Sequence, residues 1–245
     1  MKLFSRLIDI IYPPRCHICG RFLSADEDRP SSHHLCDNCL ADLTPITHPI
    51  CTACGFPFPA SKGQDHLCEI CLRKRPWYDL ARAPFLYSGP LMEAIQRFKY
   101  NSETQLISPL GTLFSSFARE WIPNPKDFLT IPVPLHRRRL RERGFNQSLS
   151  LAKVLASELG TPLDYLTLVR KRYTRSQTGL GKEERRKNVK DAFSVIYPNI
   201  IEDENIVLVD DVFTTGYTLN ECARTLKRSG AITVICLTLA RTLFD

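Results

Sequence analysis

Eight cysteines fall in four pairs of the form Cys-x-x-Cys: Cys16/Cys19, Cys36/Cys39, Cys51/Cys54 and Cys68/Cys71. The segment that holds them is an internal repeat. CHICG and CTACG open its halves, LCDNCL and LCEICL close them, and the pairs within each half stand 16 and 13 residues apart. Two residues between cysteines let both thiolates of a pair turn toward one metal in a tight knuckle, and four thiolates close a tetrahedral zinc site. Gly20 and Gly55 follow the first knuckle of each half, where positive φ is often required. A segment this small cannot bury enough apolar area to fold unaided. The pattern therefore predicts two structural Zn²⁺ sites, with pairing within each half favoured over pairing between halves. Disulfides would need an oxidising compartment, and one iron–sulfur cluster would leave four thiols idle. His17, His33, His34, His48 and His66 read as surface residues, because eight thiols already fill two sites.

Around this module the 245-residue chain has ordinary globular composition, 43% hydrophobic and 24% charged. Disorder, collagen and coiled coil are excluded as whole-chain readings. The first eleven residues place Leu3, Phe4, Leu7, Ile8 and Ile11 at helical spacing before Pro13-Pro14, which predicts a short amphipathic helix rather than an export signal. No apolar run is long enough to span a membrane, and a cytoplasmic location is expected.

From about Asp79 the pattern changes to that of an α/β protein. Residues 91–100, 106–120, 147–159 and 217–229 read as helices, and 128–135, 206–210 and 232–240 as strands, the first ending in a loop. Alternating strands and helices predict a mostly parallel sheet covered on both faces, with ligands at the carboxyl ends of its strands. The expected division is 1–78 for the terminal helix and zinc module and 79–245 for the sheet domain. Cys222 and Cys236 sit on apolar faces and read as inert core.

The richest stretch is Ile206-Val-Leu-Val-Asp210-Asp211-Val-Phe-Thr214-Thr215-Gly216-Tyr217-Thr218. A buried strand delivers two acids at its carboxyl end, and a turn then opens a helix. Gly216 permits a turn tight enough to aim backbone N–H groups into one concavity; Thr214, Thr215 and Thr218 add hydroxyls, and the helix adds its positive end. Together these make a phosphate pocket. Ionised Asp210 and Asp211 accept hydrogen bonds only, which suits vicinal ribose hydroxyls. No lysine follows the glycine, so this is not a Walker loop.

The stretch resembles the signature of type I phosphoribosyltransferases, which bind 5-phosphoribosyl-1-pyrophosphate (PRPP). The resemblance implies that Thr214, Thr215, Gly216, Tyr217 and Thr218 hold the 5′-phosphate and that Asp210 and Asp211 contact the ribose. It narrows to the ComF family (ComFC/GntX-like) of competence proteins, through PPRCHICG, AIQRFKY (94–100), PVPLHRRRLRERGFNQS (132–148) and TRSQTGLGKEERRKNVKDAF (174–193). A type I phosphoribosyltransferase-like sheet behind an amino-terminal double zinc-ribbon module is then the expected fold.

The net charge of +7 has one source. Residues 136–190 hold fifteen Lys/Arg against five Asp/Glu, and the rest of the chain is slightly acidic. Leu135, His136 and Arg137, with Arg143, are placed to clamp a pyrophosphate after strand 128–135. One pyrophosphate and one 5′-phosphate cannot use fifteen cations. A second ligand, single-stranded nucleic acid, is therefore weighed against a merely solvated face, with Phe145, Tyr165, Tyr173 and Phe193 as stacking candidates. Arg138, Arg139, Arg143, Phe145, Asn146, Gln147, Gln177, Lys182, Arg185 and Asn188 are the candidates for nucleic-acid contact or for a loop (174–190) that folds over the substrate.

Three functional classes follow. One, implied by the family resemblance, is a PRPP-binding, zinc-containing DNA-uptake factor that handles single-stranded DNA in natural transformation, with turnover left open. The family resemblance adds a ComFA-like helicase as its partner. The second is a metabolic phosphoribosyltransferase, of salvage or amido type, without a DNA role. The third is a PRPP sensor without turnover. For an enzyme, the resemblance implies displacement of pyrophosphate from ribose C1 with Mg²⁺ on the leaving group and Arg137 and Arg143 in electrostatic support. The residues name neither a general base nor an acceptor.

Overall fold

The computed structural model describes residues 13–23, 35–59, 62–100, 103–173 and 187–243. The expected amino-terminal helix lies outside them, as do His33, His34, Gln177, Lys182 and Arg185.

The central sheet is wholly parallel. Its strands are β1 (Leu80–Arg82), β2 (Phe85–Leu86), β3 (Phe128–Pro132), β6 (Asn205–Phe213) and β7 (Thr233–Arg241). β6 lies between β3 and β7, while β1 and β2 share the outer edge of β7 in one register, Leu80 opposite Ile235 and Phe85 opposite Ala240. Pro84, which has no N–H to donate, stands between the two short strands. A separate antiparallel pair is formed by β4 (Leu168–Arg170) and β5 (Phe193–Val195).

The helices follow the apolar periodicity. α1 (Asp37–Ala41) and α2 (Glu69–Arg73) lie within the cysteine repeats. α3 (Gly89–Tyr100), α4 (Ile107–Ala118) and α6 (Gln147–Leu159) bury one stripe each against the first core. α7 (Tyr217–Arg228) buries Leu219, Cys222, Ala223 and Leu226 against the second. The strands alternate between these cores: Val207 and Val209 of β6 face the first, Ile206 and Leu208 the second. Cys222 and Cys236 are fully buried in the second core, and burial lifts both thiols well above the ordinary range, as expected of inert core cysteines.

The arginine-rich segment after β3 departs from the sequence reading. Arg137–Arg143, expected as part of a loop, forms helix α5, capped by His136 Nδ1 accepting from Arg138 N at 3.2 Å and stopped by Gly144 at φ +80. Arginine has high helix propensity, and a single apolar residue, Leu140, gives the segment no periodic stripe by which to be recognised.

The eight cysteines gather as Cys16, Cys19, Cys36 and Cys39 in one group and Cys51, Cys54, Cys68 and Cys71 in the other, the sulfurs of each within 4.8 Å of one another. Pairing is thus within each half. A tetrahedral zinc with Zn–S of about 2.3 Å requires S···S edges of roughly 3.8 Å. Cys19–Cys36 at 3.6 Å and Cys54–Cys68 at 3.8 Å match it, and both groups fit structural Zn²⁺. Gly20 and Gly55 take φ +73 and +68, as the knuckles demand. The ribbons share cores with the sheet, the first on the α3 side and the second on the α7 side. Among the described residues no helix is long and apolar enough to cross a membrane.

Candidate functional site

A cavity of about 500 Å³ opens at the carboxyl edge of the sheet. Its floor is the end of β6, which runs past the two acids to Phe213; pairing with β7 continues from Asp210 opposite Thr238 to Phe213 opposite Arg241. Its walls come from α3, α5, the start of α6, β4 and the Thr214–Thr218 turn.

Gly216 is the N-cap of α7 at φ +72, and among the described residues no side chain caps that helix end. A Cβ at position 216 would stand 2.5 Å from Phe213 Cζ and 2.9 Å from Cε1, so only glycine fits. The uncapped first-turn N–H groups and the helix dipole leave a positive concavity beside the pocket. Thr214, Gly216 and Thr218 line it. The Thr215 hydroxyl at the same turn is buried and has no hydrogen-bond partner among the described residues. Tyr217 packs toward the second core instead.

Each acid spends one oxygen internally. Asp210 Oδ1 accepts from Ser148 Oγ at 2.7 Å and from Asp211 N at 2.9 Å. Asp211 Oδ1 pairs with Lys99 Nζ at 2.9 Å. Among the described residues the two Oδ2 atoms take no hydrogen bond, which leaves one acceptor on each acid for a pair of neighbouring hydroxyls. Burial, and then the charge of Asp211, push Asp210 up to about 7. Burial alone would lower Lys99, but Asp211 and Asp210 outweigh it and hold the ammonium above the ordinary lysine range. Lys99 is therefore a fixed cation and not a base.

Four cations line the pocket: Lys99, Arg139, Arg143 and Arg170, against Asp210 and Asp211. Arg143 also donates to Gln147 Oε1 at 3.3 Å and lies 5.3 Å from the Tyr100 ring. Arg170 stands over Phe193 at 5.3 Å, and burial lowers its pKa from the ordinary arginine value. The excess of positive charge suits a ligand with several phosphates.

The sequence candidates divide on this geometry. Leu135, His136, Arg139, Arg143, Gln147, Asp210, Asp211, Thr214, Gly216 and Thr218 reach the pocket; Arg137, Arg138, Thr215 and Tyr217 do not line it. Asn146 is the N-cap of α6, accepting from Ser148 N and donating to Val133 O at 3.1 Å each. Asn188 lends its carbonyl to Arg172. Phe145 turns inward, its ring 5.3 Å from Phe98, and Phe193 is buried, so apolar burial claims both rings. The exposed aromatics at the mouth are Tyr100 and Tyr173; Arg138 and Arg139 lie 4.7 and 5.9 Å from the Tyr173 ring, and His136 meets its edge.

Sequence reasoning missed Lys99, Ser148 and Arg170. Lys99 had a signal: it continues the buried stripe Leu91–Ile95 by one helical turn, and a charge on an apolar stripe needs a partner. Ser148 and Arg170 carried none, since only the fold brings them to Asp210 and to the cavity.

Comparison with known proteins agrees with this architecture. A double zinc ribbon domain model matches residues 7–74 and a phosphoribosyl transferase domain model residues 146–243. The DNA utilization protein YhgH of Salmonella typhi is 35% identical over 198 residues, covering 79% of this chain and 85% of that protein. Competence protein F of Haemophilus influenzae is 31% identical, covering 84% and 96%, and competence protein ComFC of Bacillus subtilis is 31% identical, covering 84% of each chain.

Proposed function

We propose, from the premise that the chain belongs to the ComF family of competence proteins, that its pocket binds PRPP and its basic rim binds single-stranded DNA. The observation that carries the first half is the joining, in one cavity, of the α7 turn at Gly216 with two carboxylates whose Oδ2 atoms take no hydrogen bond from the described residues. The turn takes the 5′-phosphate and the acids take the ribose diol. Lys99, Arg139, Arg143 and Arg170 balance the remaining charge. Magnesium fits the hard oxygen set of Asp210 and Asp211, and with the pyrophosphate it would neutralise the leaving group. A calorimetric titration with PRPP and Mg²⁺ tests this reading: one site per chain is expected, lost when Asp210→Asn and Asp211→Asn are combined. Undiminished binding by that variant would remove it.

The second half rests on the mouth. Tyr100 and Tyr173 are exposed, and each has an arginine against its ring. Stacking platforms beside a basic helix suit splayed bases and their phosphates. Single-stranded DNA affinity should fall steeply with salt, with a shallower slope for Arg138→Ala and a uniform loss for Tyr173→Ala. A metabolic phosphoribosyltransferase without a DNA role would instead show no single-strand binding at low salt and would release pyrophosphate with a free base as acceptor. The competence names of the relatives favour the DNA reading, and a ComFA-like helicase is the partner to test by co-purification.

A further inference from the structure

We propose that Arg241 is a positioning residue that ties the phosphate turn to the second zinc ribbon, so that metal in that ribbon holds the turn in shape. The inference rests on the PRPP reading for its purpose, but not for its geometry.

Arg241 ends β7 and is 1% exposed, one of the largest fully buried side chains of the protein. Its Nη1 donates to the carbonyl of Cys54, a ligand of the second cysteine group. Its guanidinium lies 4.7 Å from the Phe213 ring and 5.4 Å from that of Phe56. Phe213 in turn fills the space where a side chain at 216 would begin. The path from metal ligand to phosphate turn is thus three contacts long: Cys54 carbonyl, Arg241 guanidinium, Phe213 ring, Gly216. The backbone of Arg241 adds a second link, its carbonyl accepting from Tyr87 N at 2.7 Å, and Tyr87 lines the pocket.

Charge makes the link metal-dependent. Four thiolates around Zn²⁺ carry a net charge of −2, whereas four protonated thiols carry none. Arg82, 8% exposed, joins Arg241 at the same knuckle, donating to Thr52 O at 3.0 Å and lying 4.4 Å from Trp121. Two buried guanidiniums match the two excess charges of the filled site. Without the metal the two buried guanidiniums lose that counter-charge. A guanidinium so stranded is driven toward water, and Phe213 and the turn above it lose their support.

Hydrogen–deuterium exchange on the full chain tests the link without PRPP. Emptying the second ribbon alone with Cys71→Ser should raise exchange at least tenfold at 51–56 and at 213–219 together, while β3 and α4 keep their protection. Loss of protection at 51–56 alone would overturn the proposal. Equal loss across β3 and α4 would overturn it too, because the metal would then be a general staple. Zinc-loaded Arg241→Met should show the faster exchange at 213–219 by itself, with Arg241→Lys in between; an unchanged turn in Arg241→Met at full zinc content would refute the role. Failure of PRPP to bind the wild type would leave these outcomes intact and would count against the ligand alone.

Discussion

Replacing Asp210 with asparagine should make the protein more stable and unable to hold its ligand. Burial and the neighbouring Asp211 raise the Asp210 carboxyl from 3.8 to about 7. A raised acid binds more protons folded than unfolded, so wild-type stability falls as pH rises from about 4 to 7. Three pK units correspond to about 4 kcal/mol at most. The carboxylate borders an open pocket, and solvent should reduce the penalty to roughly 2 kcal/mol. Asparagine keeps the Oδ1 acceptor for Ser148 Oγ and Asp211 N but carries no charge. For a chain of this size roughly 2 kcal/mol is about 4–8 °C in Tm. Thermal melts of Asp210→Asn and wild type should therefore differ by about that much at pH 8, with the variant higher, and the gap should narrow as pH falls below 7 and close only near pH 4, where Asp210 is protonated in the folded and unfolded chains alike. PRPP with Mg²⁺ should raise the melting temperature of the wild type only. A variant no more stable than wild type at pH 8, or a gap equal at pH 5 and pH 8, would refute the assignment of strain to this acid.

Gly216→Ala forces a Cβ to 2.5 Å from Phe213 at a left-handed φ, whereas Gly144→Ala has the same backbone handicap and open space. Chemical denaturation should show about 1 kcal/mol lost at 144 and clearly more at 216, and only the latter should weaken phosphate binding tenfold or more. Lys99→Met leaves Asp211 buried without its cation and should cost about 3 kcal/mol in urea unfolding, with Lys99→Arg recovering most of it. Native mass spectrometry should find two zinc ions per chain, one per four-cysteine group; a single ion would contradict the pairing.

Much of this was legible because local physics coincides with the fold. α6 spans the residues its periodicity marks, from the Asn146 cap to Gly160 in the left-handed conformation. The cysteine repeats announced two groups because two-residue spacing and following glycines already describe a knuckle. The strand–acids–turn–helix order announced the turn at Gly216 that opens α7, since each part has its place within thirteen residues. Illegible parts arise where distant segments meet. β6 outruns its acids because β7 continues to pair with it, which Asp210 and Asp211 alone do not suggest. β1 and β2 are too short to show alternation and hold through the edge of β7. Phe145 stands in a basic tract that invites a nucleic-acid role, yet its neighbour in space is Phe98 on another helix. Arg82 and Arg241 look like ordinary strand-end charges until the ribbon is seen to place carbonyls against them.

The most direct test is a crystal structure with PRPP and Mg²⁺. The account predicts the 5′-phosphate against the backbone of Thr214–Thr218 and the ribose hydroxyls on the Oδ2 atoms of Asp210 and Asp211. Density for the ligand elsewhere, or an unaltered turn at saturating concentration, would contradict it.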